Sequence, residues 1–217
     1  MPKTKKKVVK KKLIKKNKKK VVKKKLIKKN KKKVVGKNNK LLNAKDLKID
    51  QILLKTRCVF IYGVIDEKMS CEVTKQLIAL NLINKEPIYI RINSCGGSVM
   101  DGLAIIDTIK SLTCPVVTII CGKAFSMGGI ISVVGNARVM TENSIWLGHP
   151  ISSGSGNDYI NFKRDRIAVL DLLEESRDEI LKKYTKLSPK DMMKMKNGEL
   201  WLKAEDCVKK GIVDKII

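Results

Sequence analysis

The stretch 120-ICGKAFSMGGIISVVG-135 places one hydroxyl, Ser126, between a β-branched run and an apolar run rich in glycine. Before it, 115-PVVTIICG-122 has the Val, Thr and Ile density of a buried strand, closed by Gly122. After it, 127-MGGIISVVG-135 predicts a short buried helix. Ser126 then stands where a strand hands over to a helix, at a sheet edge and beside helix N–H groups with no intrahelical partner. A nucleophile needs such a place. An ordinary N-cap serine needs it equally, because its oxygen satisfies those same N–H groups. The stretch alone leaves both readings open.

The same alternation extends in both directions. Strand patterns fall at 57-RCVFIYGVI-65, 87-PIYIRIN-93, 137-ARVMT-141 and 144-SIWLG-148, with helical spacing in 72-EVTKQLIALNLIN-84 and 99-VMDGLAIIDTIKSL-112. A long amphipathic helix is expected over 157–186, with Ile160, Ile167, Leu170, Leu173, Ile180, Leu181 and Tyr184 along one side. A small helix follows Ser188-Pro189, then a loop at 196-KNGE-199 and a last helical run at 204-AEDCVKKG-211. This order predicts an α/β fold with helices packed around mainly parallel strands.

Charge divides the chain. The net charge of +26 suggests nucleic acid until it is located: residues 1–40 hold 22 lysines and no acid, leaving 25 basic and 21 acidic groups, or +4, in the rest. The tail repeats itself, 8-VVKKKLIKKNKKK-20 recurring as 21-VVKKKLIKKNKKK-33. Thirteen steps of about 100° overshoot three helical turns by about 220°, so the apolar pairs cannot form one stripe. Like charges at i,i+4 also repel. Residues 1–40 are therefore expected to be disordered, with residues 41–217 forming one domain. Such a tail can bind nucleic acid or an anionic membrane through counterion release, or serve as a plain solvated segment. Lysines interrupt every apolar pair, so it does not read as a signal peptide, and no run of about 18 apolar residues offers a membrane span.

Six cysteines without a C-x-x-C pair, and a single histidine, lack zinc-ligand spacing. They read as small packing groups in a reducing compartment, the cytoplasm by default. The histidine, His149, ends a predicted strand, just before Pro150 and 152-SSGSG-156. It is the natural acid–base group near neutral pH, or a surface histidine at a strand end. The glycines of 94-SCGG-97 make a tight turn, or let a backbone N–H approach an oxyanion with no Cβ in the way.

Taken together, 91-RINSCGGSV-99, 122-GKAFSMGG-129, the strand ending in His149 and 199-ELWLKAEDCVKKGIVD-214 resemble the Clp protease proteolytic subunit (ClpP) family over residues 50–217. The second motif is the most specific, because the family pattern around its nucleophile is Gly-x-Ala-x-Ser-Met-Gly. The resemblance implies a repeated ββα superhelix of the ClpP/crotonase type, with the 157–186 helix protruding as a handle. It implies serine peptide hydrolysis, with Ser126 as nucleophile, His149 as general base and the backbone N–H groups of Gly97 and Met127 as oxyanion donors. Glu199 falls where the family usually has Asp and is the orienting carboxylate; 199-ELW-201 resembles phage-type members. Cys95 replaces the family's proline. No cofactor or metal is implied, and with no G-x-x-x-x-G-K-[ST] loop any ATP dependence belongs to a separate AAA+ unfoldase. Two stacked seven-membered rings, acting on unfolded polypeptides, are the implied assembly, homo- or hetero-oligomeric. The alternatives are an inactive ring subunit with a scaffold role, a tether acting through the tail, and, more distantly, an acyl-CoA hydratase-type enzyme.

Overall fold

The computed structural model describes residues 49–151 and 160–217. The lysine repeat of 1–40 and the first residues of the helix expected from 157 lie outside the described residues.

A short helix α1 (Ile49–Lys55) leads into β1 (Cys58–Ile65), α2 (Glu67–Ile83), β2 (Ile88–Gly97), α3 (Val99–Ser111) and β3 (Val116–Phe125). Then come α4 (Met127–Ser132), β4 (Ala137–Met140), β5 (Ile145–Gly148), α5 (Ile160–Tyr184), α6 (Pro189–Asn197), β6 (Leu200–Lys203), α7 (Ala204–Lys209) and β7 (Lys215–Ile216). The strands run β1-β2-β3-β4-β7, all parallel, with β5 beside β3 and β6 antiparallel to β5. The expected α/β order of mainly parallel strands is what forms.

The period of two in β2 explains the layering. Ile88, Ile90 and Ile92 are fully buried, while Tyr89 between them is 40% exposed. Val59 and Ile61 of β1 and Val116 and Ile120 of β3 join the same buried face, and Val73, Leu77 and Leu80 of α2 with Ile105 and Ile106 of α3 complete the core. Each fully buried aliphatic side chain stabilises the fold by roughly 1.5–3 kcal/mol. With few aromatic side chains, the core rests on branched aliphatics and one large ring, Trp146, which is wholly buried.

Three boundaries differ from the sequence expectation. Helix α2 begins five residues before the expected Glu72, because Asp66 caps it and accepts from the Met69 N–H at 2.8 Å. Its first turn, Glu67 to Ser70, shows no apolar periodicity to reveal it. Helix α4 ends at Ser132 rather than Gly135. Asn136 there exchanges two bonds with Val116, donating from its N–H at 2.8 Å and accepting on its side chain at 2.7 Å, and this draws the chain into β4. Along the expected apolar side of α5, Ile180 and Leu181 are buried and Leu170, Leu173 and Tyr184 half-buried, whereas Ile167 is 57% exposed.

Candidate active site

The site arises where β3 changes partner. Val117–Ile120 pair with β4, but Lys123–Phe125 pair with β5. Between them, Gly122 takes φ +89° and its N–H donates to Ser144 Oγ at 2.7 Å. The fork carries the end of β3 onto β5, so the residue after Phe125 meets the residues before His149. Its N–H, that of Ser126, donates to the Leu147 carbonyl at 2.8 Å.

Ser126 has φ 53° and ψ −124°. For a residue with a Cβ this conformation costs about 1–3 kcal/mol and persists only where its surroundings over-determine it. The Leu147 bond holds one side. On the other, the Ser126 carbonyl accepts from Gly129 N–H at 2.9 Å and Ile130 N–H at 3.2 Å, starting α4. The side chain makes no cap hydrogen bond. The side-chain capping reading is therefore corrected: the main chain of Ser126 begins the helix, and its hydroxyl makes no bond to the helix N–H groups.

The glycine pair serves close approach. Gly96 (φ +89°) lies against Ser126, where a Cβ would stand 2.6 Å from the Ser126 Cβ and 3.0 Å from the Met127 nitrogen. Gly97 (φ +153°) packs on the Ile65 main chain, which leaves no room for a side chain. Ser94, wholly buried, fixes the turn by donating to the Gly63 carbonyl at 2.7 Å and accepting from the Gly96 N–H at 3.0 Å. Cys95 is exposed, its Sγ 3.7 Å from the same carbonyl. Without proline at position 95, the turn is held by Ser94.

Ser126, Met127 and His149 line one narrow cavity with Val99, Arg177 and Met195. Its volume of about 20 Å³ admits roughly one water. His149 Nδ1 lies 2.6 Å from the Pro150 carbonyl oxygen. A carbonyl only accepts, so Nδ1 carries a proton, and in the neutral imidazole the lone pair then lies on Nε2, the tautomer a general base requires.

Glu199 is placed by β6. Gly148 of β5 pairs with Leu200, the last pair of that ladder, so Glu199 immediately precedes β6 and His149 immediately follows β5. The carboxylate nonetheless bonds elsewhere: Glu199 Oε2 accepts from the Trp201 indole at 2.8 Å, and the Trp201 ring stands edge-on to Phe125 at 5.2 Å. Thus the structure gathers Ser126, Met127 and His149 in one cavity, puts Gly97 on the neighbouring turn, and leaves the Glu199 side chain on Trp201.

Helix α6 buttresses the strand before His149. Met195 is wholly buried and packs directly on Gly148. The helix is fixed by a capping box between Ser188 and Asp191, and Lys210 reaches Asp191 at 2.8 Å. Burial is the largest influence on the Asp191 carboxyl and raises its pKa, but the bonds from Lys210 and Ser188 together outweigh it and hold the pKa at about 2.

Sequence reasoning missed Ser94, Gly96 and Arg177. The first two belong to the quoted 94-SCGG-97 element and were legible as a turn, though not as the wall behind Ser126. Arg177 sits among the charges of α5 and carries no local signal. Among the described residues no group of three His, Cys, Asp or Glu side chains is placed to hold a metal, and no helix is long and apolar enough to cross a membrane.

Comparison with known proteins shows the family of the chain. The family model described as Clp protease matches residues 42–217. The ATP-dependent Clp protease proteolytic subunit 2 of Pseudomonas aeruginosa is 34% identical over 172 residues, covering 78% of this chain and 85% of the relative. The ATP-dependent Clp protease proteolytic subunits of Streptococcus mutans and Streptococcus sanguinis are 33% and 32% identical over 171 residues, covering 76% of this chain and 86% of each relative.

Proposed function

Because the chain belongs to the Clp protease family, we propose that it is a serine endopeptidase, the proteolytic subunit of a compartmental protease that cleaves unfolded polypeptides. Ser126 Oγ attacks the peptide carbonyl while His149 Nε2 takes its proton. The N–H groups of Gly97 and Met127 receive the developing oxyanion. His149 then returns the proton to the leaving amine, and water releases the acyl group by the same route. Glu199 is the orienting carboxylate. Once released from Trp201, it adds its charge on the Nδ1 side of the ring, whose proton the Pro150 carbonyl already holds.

One observation carries this reading: Ser126 is held at φ 53° on a strand-to-helix corner with its side chain unused for capping, in a cavity shared with the chain's one histidine. A structural serine has no need of that strain. The exposed Ile167, Val169 and Leu172 of α5 support its role as a protruding handle covered by further copies, in two stacked seven-membered rings. Enclosure in such rings keeps a nonspecific peptidase safe in the cytoplasm. Any ATP is consumed by a partner unfoldase. The test is hydrolysis of a fluorogenic peptide and an unfolded protein by the purified assembly: turnover is expected from the natural chain and none from Ser126→Ala, and equal turnover by both removes the assignment.

A second reading, a ring subunit that contributes scaffold only, draws on the Glu199–Trp201 bond and on a cavity with space for about one water. It requires the purified chain to be inactive alone and to support turnover only when mixed with an active subunit.

A further inference from the structure

The last strand pair of β5 is Gly148 with Leu200, so His149 and the two residues after it have no strand partner. Two side chains of α5 hold that segment instead. Arg177 Nη1 donates to the His149 carbonyl at 3.3 Å, and Glu174 Oε1 accepts from the Ile151 N–H at 3.3 Å. Arg177 and Glu174 therefore grip the main chain on both sides of Pro150, whose carbonyl holds the imidazole.

The grip is itself fixed. The Arg177 side chain is only 6% exposed, and its Nε and Nη2 both donate to Asp178 Oδ1, at 3.0 and 2.7 Å. Glu174 lies 3.6 Å from Arg177 Nη1, one helical turn away. A buried ion cluster is poor support for stability alone, because desolvating the charges offsets most of their attraction. An apolar residue would fill the same wall of the Ser126 cavity, yet a guanidinium stands there, aimed at the His149 main chain.

We propose that Arg177 and Glu174 are positioning residues that set the imidazole of His149 against Ser126 and thereby tie the active site to helix α5. The proposal rests on His149 being the general base. Misplacing a catalytic group by about 1 Å lowers turnover up to about a hundredfold.

The experiment is steady-state peptide hydrolysis by the full chain, with Arg177→Met, Arg177→Lys, Glu174→Ala and Glu174→Gln beside Ser126→Ala and His149→Ala. Arg177→Met and Glu174→Ala are expected to lower kcat about ten- to a hundredfold with KM changed less than about threefold. Arg177→Lys, with one ammonium still able to reach the carbonyl, recovers part of the loss. Glu174→Gln recovers most of it, because its amide oxygen still accepts from Ile151; a purely electrostatic role gives no such difference between Gln and Ala, since both remove the charge. Glu174 is partly exposed, so its pair of variants decides the matter should Arg177→Met fail to fold. Wild-type kcat in Glu174→Ala, or equal losses in Glu174→Ala and Glu174→Gln, overturns the proposal. If His149→Ala is inactive while Glu174→Ala is unaffected, the positioning role alone fails; if His149→Ala turns over normally, the catalytic assignment fails and the positioning role with it.

Discussion

Gly96 and Ser126 approach so closely that a Cβ on Gly96 would stand 2.6 Å from the Ser126 Cβ. Real side chains do not share such a space, so Gly96→Ala must push the serine corner out of place. Gly63 has nearly the same backbone, φ +88° against +89°, but open space where its Cβ would point. Gly63→Ala is therefore expected to lower stability by about 1 kcal/mol through conformational strain alone, with peptide turnover largely kept. Gly96→Ala is expected to cost roughly 1–3 kcal/mol more and to abolish turnover. Thermal melting and turnover of the two variants separate strain from clash. Equal behaviour of the pair contradicts the close approach.

Glu199 and His149 are expected to differ in weight. The Pro150 carbonyl already fixes the proton on Nδ1, so removing the carboxylate leaves the base in its working tautomer. Glu199→Ala is expected to lower kcat by about ten- to a hundredfold, against a loss of about 10³-fold or more for His149→Ala. Equal losses in the two variants show that the carbonyl does not orient the ring.

Asp191 gives a pH signature. Its carboxyl is held at about 2, below the usual carboxylate value of 3.8, so the folded state favours the charged form. That contribution is complete above about pH 4 and fades as pH falls toward 2; its size is on the order of 2 kcal/mol. Asp191→Asn keeps an acceptor for the Ser188 N–H but loses the charge facing Lys210. Denaturant unfolding from pH 6 down to pH 2 is expected to show a shallower decline for the variant, with the two curves converging in acid. A constant gap down to pH 2 contradicts this account.

Four of the six thiols fall into two groups, with Cys58 and Cys121 intermediate between them. Burial, aided by the charge of Asp206, pushes Cys207 up to about 12, and Cys114 is also buried; Cys71 and Cys95 are exposed. Iodoacetamide at pH 8 is expected to label Cys71 and Cys95 in the native protein, and Cys207 and Cys114 only after denaturation. Peptide mapping by mass reads the result, and native labelling of Cys207 contradicts the packing of α7 on β6.

Much of the fold could be read from periodicity, because β2 alternates strictly and the first half of β3, Val116–Ile120, is wholly β-branched. The start of α2 was hidden, since it depends on the Asp66 cap rather than on apolar spacing. At the site, Ser126, His149 and the glycine turn stood out as chemistry-bearing types next to strand ends. That Ser126 does not cap its helix was not legible: the capping bond and the strained corner use the same residue types, and only backbone angles tell them apart. The forked pairing of β3, which brings Ser126 to Leu147, depends on contacts about twenty residues away in the chain. The meeting of Arg177 with His149 spans 28 residues and appears in no local pattern.

The most direct measurement of the central claim is intact mass after treatment with a fluorophosphonate, followed by mapping of the modified peptide. One adduct per chain is expected on the peptide containing Ser126, lost in Ser126→Ala and formed far more slowly in His149→Ala. A Ser126→Ala chain that still gains the adduct, or a natural chain that gains none while it hydrolyses peptide, contradicts the assignment of Ser126 as the nucleophile.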